Sequence, residues 1–353
     1  MSQYKVLIVG QGLAGSILAI QLSRLKIPFL LLDKPGYTVS SGVAAGMMNP
    51  IVFRYLTLGW RSVNLFNQAI GFYRDFEAES TRNLLHQVDV ARILGEGDRI
   101  QWEKKSQLPG FRNWIDLNFS GKDLMLSVEA LHGFGLLRNL AWLDVEGFLH
   151  TVREKLYHDN SLIEGFFSHD KLRCTVSGFE YEQQQFDQLV FCEGHRAIDN
   201  PWFKELPFRP VKGELLRLYI PKLRTGFVLS KDVFLLPIGD GMFKLGATFD
   251  WNDLSNEPTM PGKRYLLDKL QTFYKGEVKV VDHQAGIRPA MADRRPVAGE
   301  HPVIKGMYIF NGLGAKGVML APAIGSFLAD KLAGISTEDD EISPSRFDRD
   351  LRL

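Results

Sequence analysis

Only two cysteines, Cys174 and Cys192, occur in 353 residues. They show no metal spacing and no disulfide framework, which fits a reducing compartment and leaves both as expected small apolar side chains of the core. An excess of charge is missing too: 42 Lys and Arg face 41 Asp and Glu, a formal net charge of +1. Such a chain has no whole-molecule field to hold a polyanion, so nucleic acid is not the first expected partner. No apolar run reaches the roughly 18 residues of a membrane span, and Lys5 leads directly into a strand pattern without signal-peptide design. A soluble, cytoplasmic protein is therefore expected. Internal repeats and low-complexity segments are lacking, which leaves ordinary elements to build the fold. The length exceeds the roughly 250–300 residues at which one core stops growing, so two domains are the default.

What is present begins at residues 5 to 33, KVLIVGQGLAGSILAIQLSRLKIPFLLLD. Val6 to Val9 is a short continuous apolar run, the pattern of a strand covered on both faces. Gly10, Gly12 and Gly15 follow as G-x-G-x-x-G, the first for a tight turn, the second for backbone approach to a pyrophosphate, the third for helix packing on strand. Apolar residues at 14, 17, 18, 22 and 25 then recur at helical spacing, and the helix N-terminus turns free N–H groups and partial positive charge toward that turn. Phe29 to Leu32 is a second buried strand ending in Asp33, an acid placed to accept hydrogen bonds from a ribose. Strand before, helix after and acid at the second strand end set this unit apart from a chance glycine cluster. The acid favours FAD or NAD over NADP and does not choose between the first two.

Residues 36 to 50, GYTVSSGVAAGMMNP, are rich in small side chains and suit a loop lying against a cofactor, or a plain crossover. Residues 59 to 79 read as a helix with Val63, Phe66, Ala69, Ile70, Tyr73 and Phe76 on its core face. Between 84 and 135, short apolar stretches alternate with turns such as Gly-Glu-Gly-Asp at 95 to 98 and Pro-Gly at 109 to 110, which predicts β-hairpins. Asp144 is a candidate N-cap for a helix to Tyr157, and Gln188 to Cys192 a buried strand. From 208 to 250 the chain alternates again, with Gly239-Asp240-Gly241 as a hairpin turn. A helix around 261 to 275 and a strand near 278 to 283 close that part. Residues 306 to 334 then repeat the opening logic: strand Met307 to Phe310, a turn with Gly312, Gly314 and Gly317, and a helix from about Val318 to Leu332. NAD needs only one such turn, whereas a flavin dinucleotide, with an electron-rich end at each extremity, uses both.

Together these residues resemble the D-amino-acid oxidase superfamily of FAD enzymes, most closely its glycine oxidase and sarcosine oxidase branch, over most of the chain. GQGLAG with Asp33 resembles the FAD-binding start, SSGVAAGMMNP the loop over the flavin, and PVKGELLRL the strand entering the substrate sheet. FLLPIGDGMFKLGATFDW is similar to the hairpin lining the substrate pocket, GIRPAMADRRPVAGEHP to a G-x-R-P element, and GLGAKGVMLAP to the glycine turn at the flavin end. The resemblance implies an α/β fold: a doubly wound, Rossmann-like FAD-binding domain of segments 1–83, 138–207 and 285–353, with an inserted antiparallel-sheet α+β substrate domain, 84–137 and 208–284. It implies FAD held non-covalently, neither cysteine sitting where the family attaches flavin. The residues it puts against FAD are Gly10, Gly12, Leu13, Ala14, Gly15, Asp33 and Lys34, then Ser41, Ala45, Gly46 and Met47, then Cys192 and Gly194. At the flavin end they are Arg288, Gly312, Gly314, Ala315, Lys316 and Gly317.

The implied reaction passes a hydride from the carbon beside nitrogen of a small carboxylate-bearing amine to flavin N5, the protein supplying orientation, electrostatics and a dry pocket. Arg288, Phe234 and Lys316 are the candidate catalytic side chains. Arg288 is placed on the substrate carboxylate, which a planar guanidinium grips by both oxygens; the competing reading is an ion pair with a neighbour such as Asp293. Phe234 stands where the branch has a tyrosine, which argues against a glycine-sized substrate. Lys316 either approaches a flavin carbonyl or points to water. Two rival functions stay open. The flavin half of a tRNA wobble-uridine enzyme shares these motifs, with the neutral charge and the lack of a methyltransferase segment against it; the other is a flavin-binding protein without turnover. Oligomeric state is not specified by the sequence.

Overall fold

The computed structural model describes residues 4–34, 40–53, 55–335 and 338–347; positions 36–39 of the small-residue loop lie outside the described residues. Strand β1 (Val6–Val9) is buried throughout and sits inside a six-stranded sheet. On one side it pairs in parallel with β2 (Phe29–Asp33), which pairs with Leu162–Glu164. On the other it pairs with Gln188–Phe191, which pairs with Met307–Asn311, all parallel. Only the edge strand Val297–Glu300 runs antiparallel. Continuous apolar strands of this kind need cover on both faces. Helices α1 (Leu13–Arg24) and Gly317–Leu332 supply it on one side, packed so closely that a β-carbon on Gly325 would lie 2.7 Å from Ile17 Cγ2.

A nine-stranded mixed sheet faces this unit. Its main path runs Lys279–Arg288, Val211–Tyr219, Met242–Gly246, Phe234–Gly239, Phe227–Ser230, Leu85–Ile93, Phe134–Leu143 and Met47–Met48, with Ile115–Asp116 beside Phe134–Leu143. Every pair is antiparallel except Phe227–Ser230 with Leu85–Ile93. The hairpin at Gly239-Asp240-Gly241 forms as its sequence predicts. Asp144 caps the helix Val145–His158 by accepting from the Gly147 N–H at 3.2 Å.

Three expectations change. Residues 98–106 form a helix, not a hairpin strand: Gly-Glu-Gly-Asp is its entry, Asp98 accepting from the Gly95 N–H. DRIQWEKKS has good helix formers and no strand alternation, buries Trp102, and ends in two lysines that suit the helix C-terminus. Cys174 is exposed, because Arg173–Thr175 is the edge of a small three-stranded sheet with nothing over it. The strand expected near 278–283 continues to Arg288.

Candidate functional site

A cavity of about 1260 Å³ opens between the carboxyl ends of β1 and β2 and the inner face of the nine-stranded sheet. That exceeds the roughly 300–1,000 Å³ of sites for drug-sized ligands, and it lies where open α/β sheets bind theirs. One end is the first glycine turn. Gly10 has φ +101°, and Gly15 lies so near that a β-carbon on it would fall 1.9 Å from Gly10 O; these two glycines close the turn and seat the helix. Gly12 differs. A β-carbon there would meet only Ser41 Oγ, at 3.3 Å, and would otherwise project into the cavity. Leu13, Ala14 and Ser41 line the same end, the Leu13 N–H donating to Ser41 Oγ at 3.1 Å.

Asp33 is part of this end and is already engaged. Its Oδ1 accepts from the Gln11 N–H at 3.0 Å, and its Oδ2 pairs with Arg153 at 3.0 Å. Arg153 also donates to Gln11 Oε1 at 2.5 Å and reaches Glu164 at 2.7 Å. Sequence reading missed Arg153, which belongs to no spaced motif, and Gln11, a variable position of the G-x-G-x-x-G turn; the only clue was an arginine on the inner face of a helix returning to the sheet. Lys34, Ala45, Gly46, Met47, Cys192 and Gly194 also line the cavity. Burial pushes the Cys192 thiol far above its ordinary range, so it stays protonated.

The other end is the second glycine turn. Gly314, Ala315 and Gly317 line it, while Gly312 packs behind, where a β-carbon would strike Met291. Lys316 lies on the turn between Ala315 and Gly317. It is absent from the cavity lining, and its Nζ is half-buried beside Gly59, 3.1 Å from where a β-carbon would stand, with burial lowering its pKa.

Arg288 ends its strand inside the cavity. Its Nη1 donates to Thr248 O at 3.2 Å and Lys212 O at 3.4 Å, and the guanidinium stands 4.4 Å from the Phe249 ring centroid. Gly213 makes the room: a β-carbon there would sit 2.0 Å from Arg288 Nη2. Burial without an anion lowers the Arg288 pKa to about 10. The competing ion pair does not form, since Asp293 pairs with Arg346 at 3.0 Å and accepts from the Arg295 N–H. Phe234 lies on the same wall, its ring against Gly246.

A further device was invisible in the sequence. Lys212, 1% exposed, bonds Asp253 and Ser255 Oγ, while Glu214 accepts from Thr259 N–H at 2.9 Å and Thr259 Oγ1 at 2.7 Å. Two neighbours on one strand thus pin the segment that carries Phe249 over Arg288.

Residues 5–331 match the model of a family described as FAD dependent oxidoreductase. The chain belongs to this family. FAD is its cofactor, and a cavity with a glycine turn and a helix N-terminus at each end has the room and the donors for a dinucleotide. A tRNA 5-methylaminomethyl-2-thiouridine biosynthesis bifunctional protein of Marinobacter nauticus is 24% identical over 360 residues, covering 93% of this chain and 55% of that protein. Glycine oxidase of Bacillus subtilis is 30% identical over 157 residues, 42% of each chain. This FAD-dependent oxidoreductase thus spans about half the length of the curated relatives it matches. Among solved structures, iminodiacetate oxidase of a Chelativorans species superposes with a TM-score of 0.81 at 21% identity, covering 96% of this chain and 99% of that one. Glycine oxidase of Geobacillus kaustophilus gives 0.82 at 19%, covering 96% and 97%. Both share the fold. Among the described residues no helix is long and apolar enough to cross a membrane.

Proposed function

We propose that this FAD-dependent oxidoreductase oxidises the C–N bond of a small carboxylate-bearing amine, an amino acid or an N-substituted glycine. The observation that carries the reading is Arg288: a half-buried guanidinium facing the cavity, held by two carbonyls and a ring, with no carboxylate within ion-pair distance among the described residues. A charge kept there at a desolvation cost asks for an anion brought by the ligand. FAD supplies the two-electron acceptor. The chain's residues bind and orient. Gly12, Leu13 and Asp33 receive the pyrophosphate and ribose end, the Gly314–Gly317 turn receives the ring end, and Arg288 fixes the substrate carboxylate in both rotation and translation. Phe234, Gly246 and Leu215 wall the reacting carbon with apolar surface and keep water away. No acid/base pair is required of the side chains, and none is assigned.

A second reading has its own support. The tRNA-modifying relatives match along nearly the whole chain, and Phe249 and Trp251 stack at 6.4 Å beside the cavity, 56% and 64% exposed, as a platform for a base would. Anaerobic mixing of the yellow protein with amino acids of both hands, N-methyl glycines and modified tRNA separates these readings by which one bleaches the flavin. Bleaching by none of them refutes both.

A further inference from the structure

Arg92 lies on the same cavity wall as Arg288, and nothing in the reading above uses it. It is in register with Ser230, Ser230 with Phe234, and Phe234 with Gly246. Val90 faces the core toward the parallel sheet, whereas Ala91 and Ile93 face the opposite core, so Arg92 shares the inner face with Val90. Arg92, Ser230, Phe234 and Gly246 therefore form one row across four strands, roughly 14 Å of wall at about 4.8 Å per strand. The next strand adds Leu215, opposite Gly246, and then Gly213, on which the Arg288 guanidinium rests. The row carries an arginine at each end with Ser230 and apolar surface between, and Lys231, Asp232 and Lys269 line the cavity near Arg92.

Among the described residues the Arg92 guanidinium hydrogen-bonds neutral groups only. Its Nη1 donates to Lys231 O and to Ser230 Oγ at 3.3 Å. Asp98 and Asp232 support its charge from a distance but are bonded elsewhere: Asp98 accepts from the Gly95 N–H at 2.8 Å, and Asp232 pairs with Lys269 at 2.9 Å. Among the described residues no carboxylate lies within ion-pair distance of Arg92. Burial lowers its pKa. A guanidinium with no direct ion pair on a sheet face is costly even with acids at longer range, and two on one cavity wall are harder to explain by packing.

We propose that Arg92 is a second anion subsite, and that the substrate carries, at the far end of an apolar spacer, a second anionic group besides the carboxylate at Arg288. The class is an amine bearing two acidic termini, such as an N-carboxyalkyl amino acid, with a phosphate-ended chain as the alternative source of the same charge. This rests on the reading of Arg288 as a carboxylate clamp, and the test keeps the two apart.

The holoenzyme is titrated with straight-chain dicarboxylates from succinate to sebacate, with monocarboxylates of equal length, and with their ω-phosphono counterparts, reading the perturbation of flavin absorbance. One chain length should bind at least about tenfold tighter with its second anion than without it, as expected for a charge-assisted pair. The arm with the larger gain identifies carboxylate or phosphate. In Arg92→Gln that gain should vanish. No gain at any length in the wild type, or a gain that survives in Arg92→Gln, overturns the proposal; should Arg92→Gln not fold, Arg92→Lys, which keeps the stem and loses the fork, must lose most of the gain, and a gain it keeps in full overturns the proposal equally. Monocarboxylates that bind Arg288→Gln as tightly as wild type would instead sink the clamp.

Discussion

Arg288 is charged without a carboxylate near it, and that fixes what its replacement does. Arg288→Lys keeps the charge and loses the fork, so flavin-reduction efficiency should fall by about 2–4 kcal/mol, on the order of 30- to 1000-fold. Changing the substrate carboxylate to an amide should hurt the wild type strongly and Arg288→Ala little, because both remove one interaction; equal penalties in the two proteins would exclude contact. The pKa of about 10 adds a pH signature. It lies below the ordinary 12.5 of a guanidinium, so the charged form is disfavoured by folding, and a bound anion raises it again. Carboxylate affinity should be flat through neutrality and drop as pH passes about 10. By the same sign, ligand-free Arg288→Met should melt no lower than wild type in calorimetry, where a salt-bridged arginine would melt earlier.

At the scale of elements, strand–turn–helix units were legible and their packing partners were not. The first turn could be read because each glycine answers a local constraint, and the structure separates those constraints further. Gly15 packs against Gly10 O and Gly12 against almost no protein. Gly12→Val should therefore give folded apoprotein, with ordinary circular dichroism and little bound flavin, while Gly15→Val should lose the fold; a Gly12→Val protein with full flavin content would refute the phosphate-site role. The helix at 98–106 was missed because two glycines mark a helix entry as well as a hairpin. The direction of Lys316 was left open by the sequence because three glycines around it fix the backbone of the turn and say nothing about which side a long side chain takes. Arg153, Lys212 and Glu214 act across 120, 41 and 45 residues of sequence, so no window holds both partners. Phe249 rests on the same long-range tie. Lys212→Met should free segment 249–259 and weaken carboxylate binding at unchanged flavin content, measured by titration beside a flavin absorbance ratio; loss of flavin as well would mean that the strand itself had moved.

For the whole molecule the sequence motifs told the class correctly because the cofactor imposes them in order. They could not tell the substrate, because its wall is assembled from five strands whose neighbours are decided by topology. Purified protein should be yellow, and acid precipitation should release FAD intact into the supernatant, since Cys174 is on the outer edge and Cys192 is a buried protonated thiol. Flavin that stays with the pellet would point to a covalent bond from another side chain.

The placing of β1 has a temporal consequence. Its two neighbours are β2, reached within 30 residues, and Gln188–Phe191, which the ribosome delivers only after 150 more. The second glycine turn, at Gly314–Gly317, comes later still. A growing chain thus carries half a cofactor cradle for most of its synthesis, with no partner strand on one flank. FAD can be gripped at both ends only when the last helix docks on the first, so capture of flavin should be among the final folding events, and its mass-action stabilisation falls on a sheet that already exists.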